Sequence, residues 1–133
     1  MNEMNLFKAL RKMKTLLIDD DQWIRDSLNL FFKGEGCSLL AVETAEEGIK
    51  ALKKHDYDII ISDHKLPGMD GLEFLKWTLG HSPNAIKILI TAYKDEHIVS
   101  EAMKIGVADL IEKPFTSEII QTSLFRLIGN GKW

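Results

Sequence analysis

The chain has 133 residues, 45% of them hydrophobic and 28% charged, with a formal net charge of -3, which suits one domain able to bury a core without covalent staples. That balance lacks the clustered basic surface that phosphate neutralisation needs, which excludes wholesale nucleic-acid binding. A single cysteine, Cys37, leaves no internal disulfide and no Cys/His metal cluster, and with no membrane-length apolar run and no signal-peptide pattern the expectation is a soluble, cytoplasmic protein.

Residues 1–13 precede any strand signal and carry Leu6, Phe7, Leu10 and Met13 at helical spacing among Lys8, Arg11 and Lys12. They read as an N-terminal extension, at most a short helix that frays or packs loosely, because isolated helices of this length are marginal. The domain itself is expected over 14–133. Thr15 to Ile18 reads as a strand ending in three acids, Asp19, Asp20 and Asp21, of which Asp21 suits the start of the next helix, where the dipole favours negative charge. That helix covers 22–33 with Ile24, Leu28 and Phe31 inward, while Trp23 and Leu30 fall on a second face as a candidate docking pair.

Gly34 and Gly36 close this helix, and 37–42 reads as a second strand, with Cys37 in the core. Thr44 and Glu47 form a capping box that opens a helix running to about Lys54. Next comes the stretch that organises the chain, Asp58 to Gly71. The β-branched run Ile59 to Ile61 reads as a buried strand, and it delivers Asp63 to the point where Pro67-Gly68 turns the chain out. Asp70 suits a helix cap, and the third helix carries Leu72, Leu75 and Leu79 up to Gly80 and Pro83.

A strand over 86–91 ends in Thr91, a helix over 95–105 stops at Gly106, and a strand over 108–112 leads to Lys113. Thr116 caps a last helix lined by Ile120, Leu124, Leu127 and Ile128, with Phe125 turned away as a candidate contact and Gly129 at its end. Residues 129–133 form a short tail with no room for an effector, so the chain reads as a stand-alone unit or a piece of a longer one. His55, His81 and His97 read as solvated surface groups; His64 lies nearer the acids but has no evident partner.

Strands alternating with helices over short connections require a parallel sheet covered on both faces, an α/β doubly wound fold. Right-handed crossovers then bring every strand's carboxyl end to one edge, where open sheets bind ligands. That edge collects Asp19, Asp20, Asp63, Thr91 and Lys113. Clustered carboxylates repel by up to about 4 kcal/mol for a pair some 4 Å apart at an effective dielectric near 20, and hard oxygen ligands with room for water favour Mg²⁺.

The strand-end Asp19-Asp20, the Asp63…Pro67-Gly68-Met69-Asp70-Gly71 segment, Thr91-Ala92 and Lys113-Pro114 together resemble a bacterial two-component response regulator receiver domain over about residues 14–128. The resemblance implies a flavodoxin-like (βα)5 fold with a five-stranded parallel sheet in the order 2-1-3-4-5. It implies that Asp63 is the phosphorylation site, taking a phosphoryl group from a phosphohistidine on a sensor histidine kinase or histidine phosphotransfer protein. Asp20, Asp63 and the backbone carbonyl of Lys65 would hold Mg²⁺, with Asp19 acting mainly through water. Lys113 and Thr91 would contact the phosphoryl group, and the Lys113–Pro114 bond would be cis. The domain would then catalyse its own phosphorylation and dephosphorylation, without being an enzyme on other substrates.

Output would pass through the face formed by the helix over 95–105, the strand over 108–112 and the last helix, to a partner, an attached effector or a second copy in a homodimer. Leu110 stands where many receivers carry an aromatic that swings inward, so that movement is not expected here. Lys65 and Tyr93 flank the route of attacking water and would shield the acyl phosphate. Two other readings remain: a receiver-like interaction module that switches without phosphate, and a haloacid-dehalogenase-like phosphatase using Asp19 and Asp21, which leaves Asp63 without a role.

Overall fold

The computed structural model describes residues 3–129; of the tail read over 129–133, Gly129 belongs to the last helix and 130–133 lie outside the described residues. Its elements run α1 (Glu3–Leu10), β1 (Lys14–Ile18), α2 (Gln22–Gly34), β2 (Ser38–Val42), α3 (Ala45–Lys54), β3 (Ile59–Asp63), α4 (Gly71–Thr78), β4 (Ile86–Thr91), α5 (Glu96–Ile105), β5 (Asp109–Glu112) and α6 (Ser117–Gly129). The five strands form one sheet in the order β2-β1-β3-β4-β5 with every pair parallel. This is the expected doubly wound arrangement, with β3 at its centre and all five of its residues buried.

Alternation along the strands divides the core in two. Leu17, Ile59, Ile61, Ile88 and Ile90 face α1, α2 and α6, while Leu16, Ile18, Ile60 and Leu89 face α3, α4 and α5. Side-chain caps fix where helices begin, because each satisfies an N–H that the first turn leaves open. Asp21 accepts from Trp23 N, Thr44 from Glu47 N, Asp70 from Glu73 N and Asp95 from Ile98 N. Gly106 ends α5 at φ 87°, a left-handed conformation that disfavours a side chain.

Two sequence expectations give way. Residues 3–10 form a helix that does not lie loosely on the domain: Leu6, Phe7, Leu10 and Met13 are all buried, and they belong to the same apolar cluster as Leu28, Phe32, Leu124 and Ile128. Phe7 meets Phe31 edge to face with ring centroids 6.0 Å apart, a favoured aromatic geometry. Leu79 was expected inside α4's apolar stripe but is exposed, because the helix ends at Thr78 and turns over; Phe74 and Leu75 make the buried face instead. Among the described residues no helix is long and apolar enough to cross a membrane.

Candidate functional site

At the carboxyl edge β1 delivers Asp19 and Asp20, β3 delivers Asp63, β4 ends in Thr91, and Lys113 follows β5. Two backbone bonds lock these strand ends together beyond the regular ladder: His64 N donates to Ile90 O and Lys113 N to Thr91 O, each at 2.8 Å. Asp19 is held by its own backbone as well, since Arg25 donates to its carbonyl at 3.0 Å. The Lys113–Pro114 bond is cis.

The loop between β3 and α4 closes tightly over the site. Gly71 N donates to His64 O at 2.8 Å, and a Cβ on Gly71 would lie 1.9 Å from the Asp63 carbonyl oxygen. Only glycine lets the start of α4 come this close to the strand that carries Asp63.

Carboxylate oxygens of Asp19, Asp20 and Asp63 lie within 4.8 Å of one another. Asp19 and Asp63 are buried, while Asp20 is exposed. Lys113 Nζ sits 3.2 Å from Asp63 Oδ2 and 3.6 Å from Asp19 Oδ2. One ammonium against three carboxylates leaves an excess of two negative charges, the balance a divalent cation would correct. A more specific observation supports that fit: Asp19 Oδ1 accepts the Asp21 N–H at 2.9 Å, but its buried Oδ2 has no hydrogen-bond partner. A buried carboxylate oxygen left open beside two other carboxylates is a donor set suited to a hard cation.

The electrostatics follow from this crowding. Burial raises the Asp19 carboxyl from 3.8 to about 6, with the Asp63 and Asp20 charges adding to the rise and the Asp21 N–H and Lys113 opposing it. Burial also raises Asp63, against the pull of Lys113. For Lys113 burial acts to lower the value, but the neighbouring Asp19 and Asp63 outweigh it and the group ends above its ordinary value. The lysine is therefore a fixed positive charge at neutral pH.

All the residues read from the sequence as site candidates thus reach one edge, with Lys65 in the β3–α4 loop, its side chain exposed. Asp70 and Asp21 cap helices. Tyr93 is 68% exposed, and the structure ties it to the site through its backbone: Thr91 Oγ1 donates to Tyr93 O at 3.1 Å and accepts from Tyr93 N at 3.3 Å. The sequence reading gave His64 no partner. It is buried, and its Nδ1 lies 3.4 Å from Thr91 Oγ1. The one signal for this pairing is register: Asp63 pairs with Ile90, so the next residues on each strand, His64 and Thr91, are neighbours.

Beside the carboxylates a cavity of about 430 Å³ is lined by Trp23, Ile24 and Leu28 of α2 and by Lys113, Pro114 and Phe115. Trp23 is 77% exposed at its rim.

A parallel sheet in this order, with an acidic pocket and a lysine at its carboxyl edge, defines a receiver-type signalling domain. Residues 15–125 match the response regulator receiver domain family, and the chain belongs to it. The chemotaxis protein CheY of Listeria monocytogenes is 33% identical over 115 residues, which span 84% of this chain and 95% of that protein. The transcriptional regulatory protein FixJ of Bradyrhizobium diazoefficiens is 33% identical over 102 residues, 77% of this chain but 50% of its own length; the chain thus spans half of that longer relative. Among solved structures, a CheY-like receiver domain protein from Methanospirillum hungatei superposes with a TM-score of 0.79 at 28% identity, over 90% of this chain and 98% of that one. Family membership supports a role as a switch in two-component signalling, in a family where phosphorylation and Mg²⁺ are usual.

Proposed function

We propose that this chain is a phosphorylation-driven switch in which Asp63 accepts a phosphoryl group from a phosphohistidine of a sensor histidine kinase or histidine phosphotransfer protein in the cytoplasm. The observation that carries this reading is the geometry at β3's end: a buried carboxylate with Lys113 Nζ 3.2 Å away and, in the same cluster, a buried Asp19 oxygen that accepts no hydrogen bond.

In the reaction an Asp63 oxygen bonds to phosphorus as the bond from phosphorus to the imidazole nitrogen breaks, and the nitrogen keeps the electron pair. Lys113 neutralises oxygens of the moving group. Asp20, Asp63 and the Lys65 carbonyl would hold Mg²⁺, with Asp19 acting through water; the bound ion supplies charge neutralisation as charge spreads over the transferred oxygens. Thr91 hydrogen-bonds a phosphoryl oxygen afterwards, which draws the loop after β4 inward and reshapes the α5, β5, α6 face. On these elements Arg126 pairs with Asp109 at 2.8 Å, and Phe125, Ile119 and Met103 are exposed. That is the surface offered to an output partner, an attached effector or a second copy, while the cavity beside Trp23, which Lys113 also lines, is the surface this reading gives to the phosphodonor protein.

Intact-mass spectrometry after acetyl phosphate and Mg²⁺ tests the reading. One phosphoryl group is expected on the wild type, none on Asp63→Asn and none in EDTA. Labelling of the variant would move the nucleophile to Asp19, and absence of label on a folded wild type would favour a module that switches without phosphate.

A further inference from the structure

Thr91's hydroxyl has a full set of partners in the resting state. It has one hydrogen to give and two lone pairs. The hydrogen goes to Tyr93 O at 3.1 Å and one lone pair takes Tyr93 N–H at 3.3 Å. The remaining contact, His64 Nδ1 at 3.4 Å, is then satisfied only if the imidazole donates. With the hydroxyl's own hydrogen given to Tyr93 O, the hydrogen in this contact belongs to His64 Nδ1.

This arrangement bears on the step proposed above, because a Thr91 hydroxyl turned to a phosphoryl oxygen must withdraw its hydrogen from Tyr93 O and break its contact with His64. A buried donor left without an acceptor opposes that rotation. Leu110, partly buried beside β4, has no polar atom with which to replace either partner. We infer that His64 is a positioning residue whose Nδ1–H holds the Thr91 hydroxyl in its resting orientation and so sets how readily an occupied Asp63 recruits Thr91. His64 touches the reacting group only through Thr91. The inference rests on the phosphoacceptor reading of Asp63.

Beryllofluoride, which forms a phosphoryl-like adduct on a carboxylate, is the probe, titrated at fixed Mg²⁺ and followed by amide NMR shifts. Removing the donor in His64→Leu is expected to tighten beryllofluoride binding about threefold to tenfold, the range of one net hydrogen bond. His64→Asn, whose side-chain amide nitrogen stands as far along the chain as Nδ1, is expected to restore the wild-type affinity. In a Thr91→Val background His64→Leu is expected to change nothing, because the partner is gone. An unchanged affinity in His64→Leu, or the same change with and without the Thr91 hydroxyl, overturns the assignment. Should His64→Leu fail to fold, His64→Met, which also lacks a donor, carries the same comparison. An adduct that survives Asp63→Asn would sink the underlying phosphoacceptor reading instead, whatever the His64 variants do.

Discussion

The Leu6→Ala, Leu10→Ala double variant is expected to lose about 4–8 kcal/mol of stability, enough to leave little folded protein. Both side chains are essentially inaccessible, at 0% and 1% exposure, and truncating a buried leucine costs about 2–5 kcal/mol by lost transfer energy and residual cavity. A domain of this size has about 5–15 kcal/mol in all. The loss has a ceiling set by the helix itself: once docking becomes unfavourable, α1 can leave while the rest stays folded. The two outcomes read differently in denaturant. Global unfolding keeps the slope of stability against denaturant and moves the midpoint, whereas an undocked α1 lowers the slope because less surface remains to be exposed. In that second case Phe31, Phe32 and Ile128 lose their cover and a hydrophobic dye should bind. A variant with a wild-type midpoint and no dye binding would mean that α1 is peripheral. On the first result, a receiver unit cut at Lys14 is a poor preparation, and the domain is better drawn to include residues 3–13.

The difference between that helix and the site explains what the sequence makes legible. Asp19, Asp20, Asp63, Thr91 and Lys113 could be collected on one edge from strand ends alone, because parallel topology fixes where such ends go. Packing of α1 has no such rule. Eight residues have marginal helicity of their own, and their burial depends on complementary surfaces on α2 and α6, distant in sequence. The α4 stripe misled for a local reason: Thr78 turns its hydroxyl back to the Leu75 carbonyl at 2.6 Å where the helix stops, so the period that counted Leu79 outran the element. His64 had no evident partner because its neighbour, the Thr91 hydroxyl, lies 27 residues away in sequence and is brought beside it only by the register of β3 with β4.

Replacing Asp19 by Asn is expected to stabilise the metal-free protein by about 2–3 kcal/mol at pH 7 while weakening Mg²⁺ binding at least tenfold. The first effect follows from linkage. Burial, with help from the Asp63 and Asp20 charges, raises the folded-state value of Asp19 from 3.8 to about 6, so between these values the native state holds more protons than the unfolded chain. Metal-free stability therefore falls as pH rises from about 4 to about 6 and stays low above it, a difference of about 3 kcal/mol at about 1.4 kcal/mol per unit. Asp63, also raised, contributes with the same sign; Lys113, raised above its ordinary 10.5, does not titrate in this window. Asn keeps an oxygen for the Asp21 N–H and removes the buried charge, at the expense of the longer of Lys113's two carboxylate contacts, 3.6 Å against 3.2 Å. Urea unfolding in EDTA and again in saturating Mg²⁺ checks both parts. In EDTA the variant should be the more stable protein and should show a shallower pH slope between 4 and 6, with only the Asp63 share left. In Mg²⁺ the order should narrow or reverse, because the ion binds and stabilises only the native wild-type site with full strength. If Asp19→Asn is the less stable protein in EDTA, the Lys113 attraction outweighs burial at this position and the carboxylate cluster is balanced without a cation.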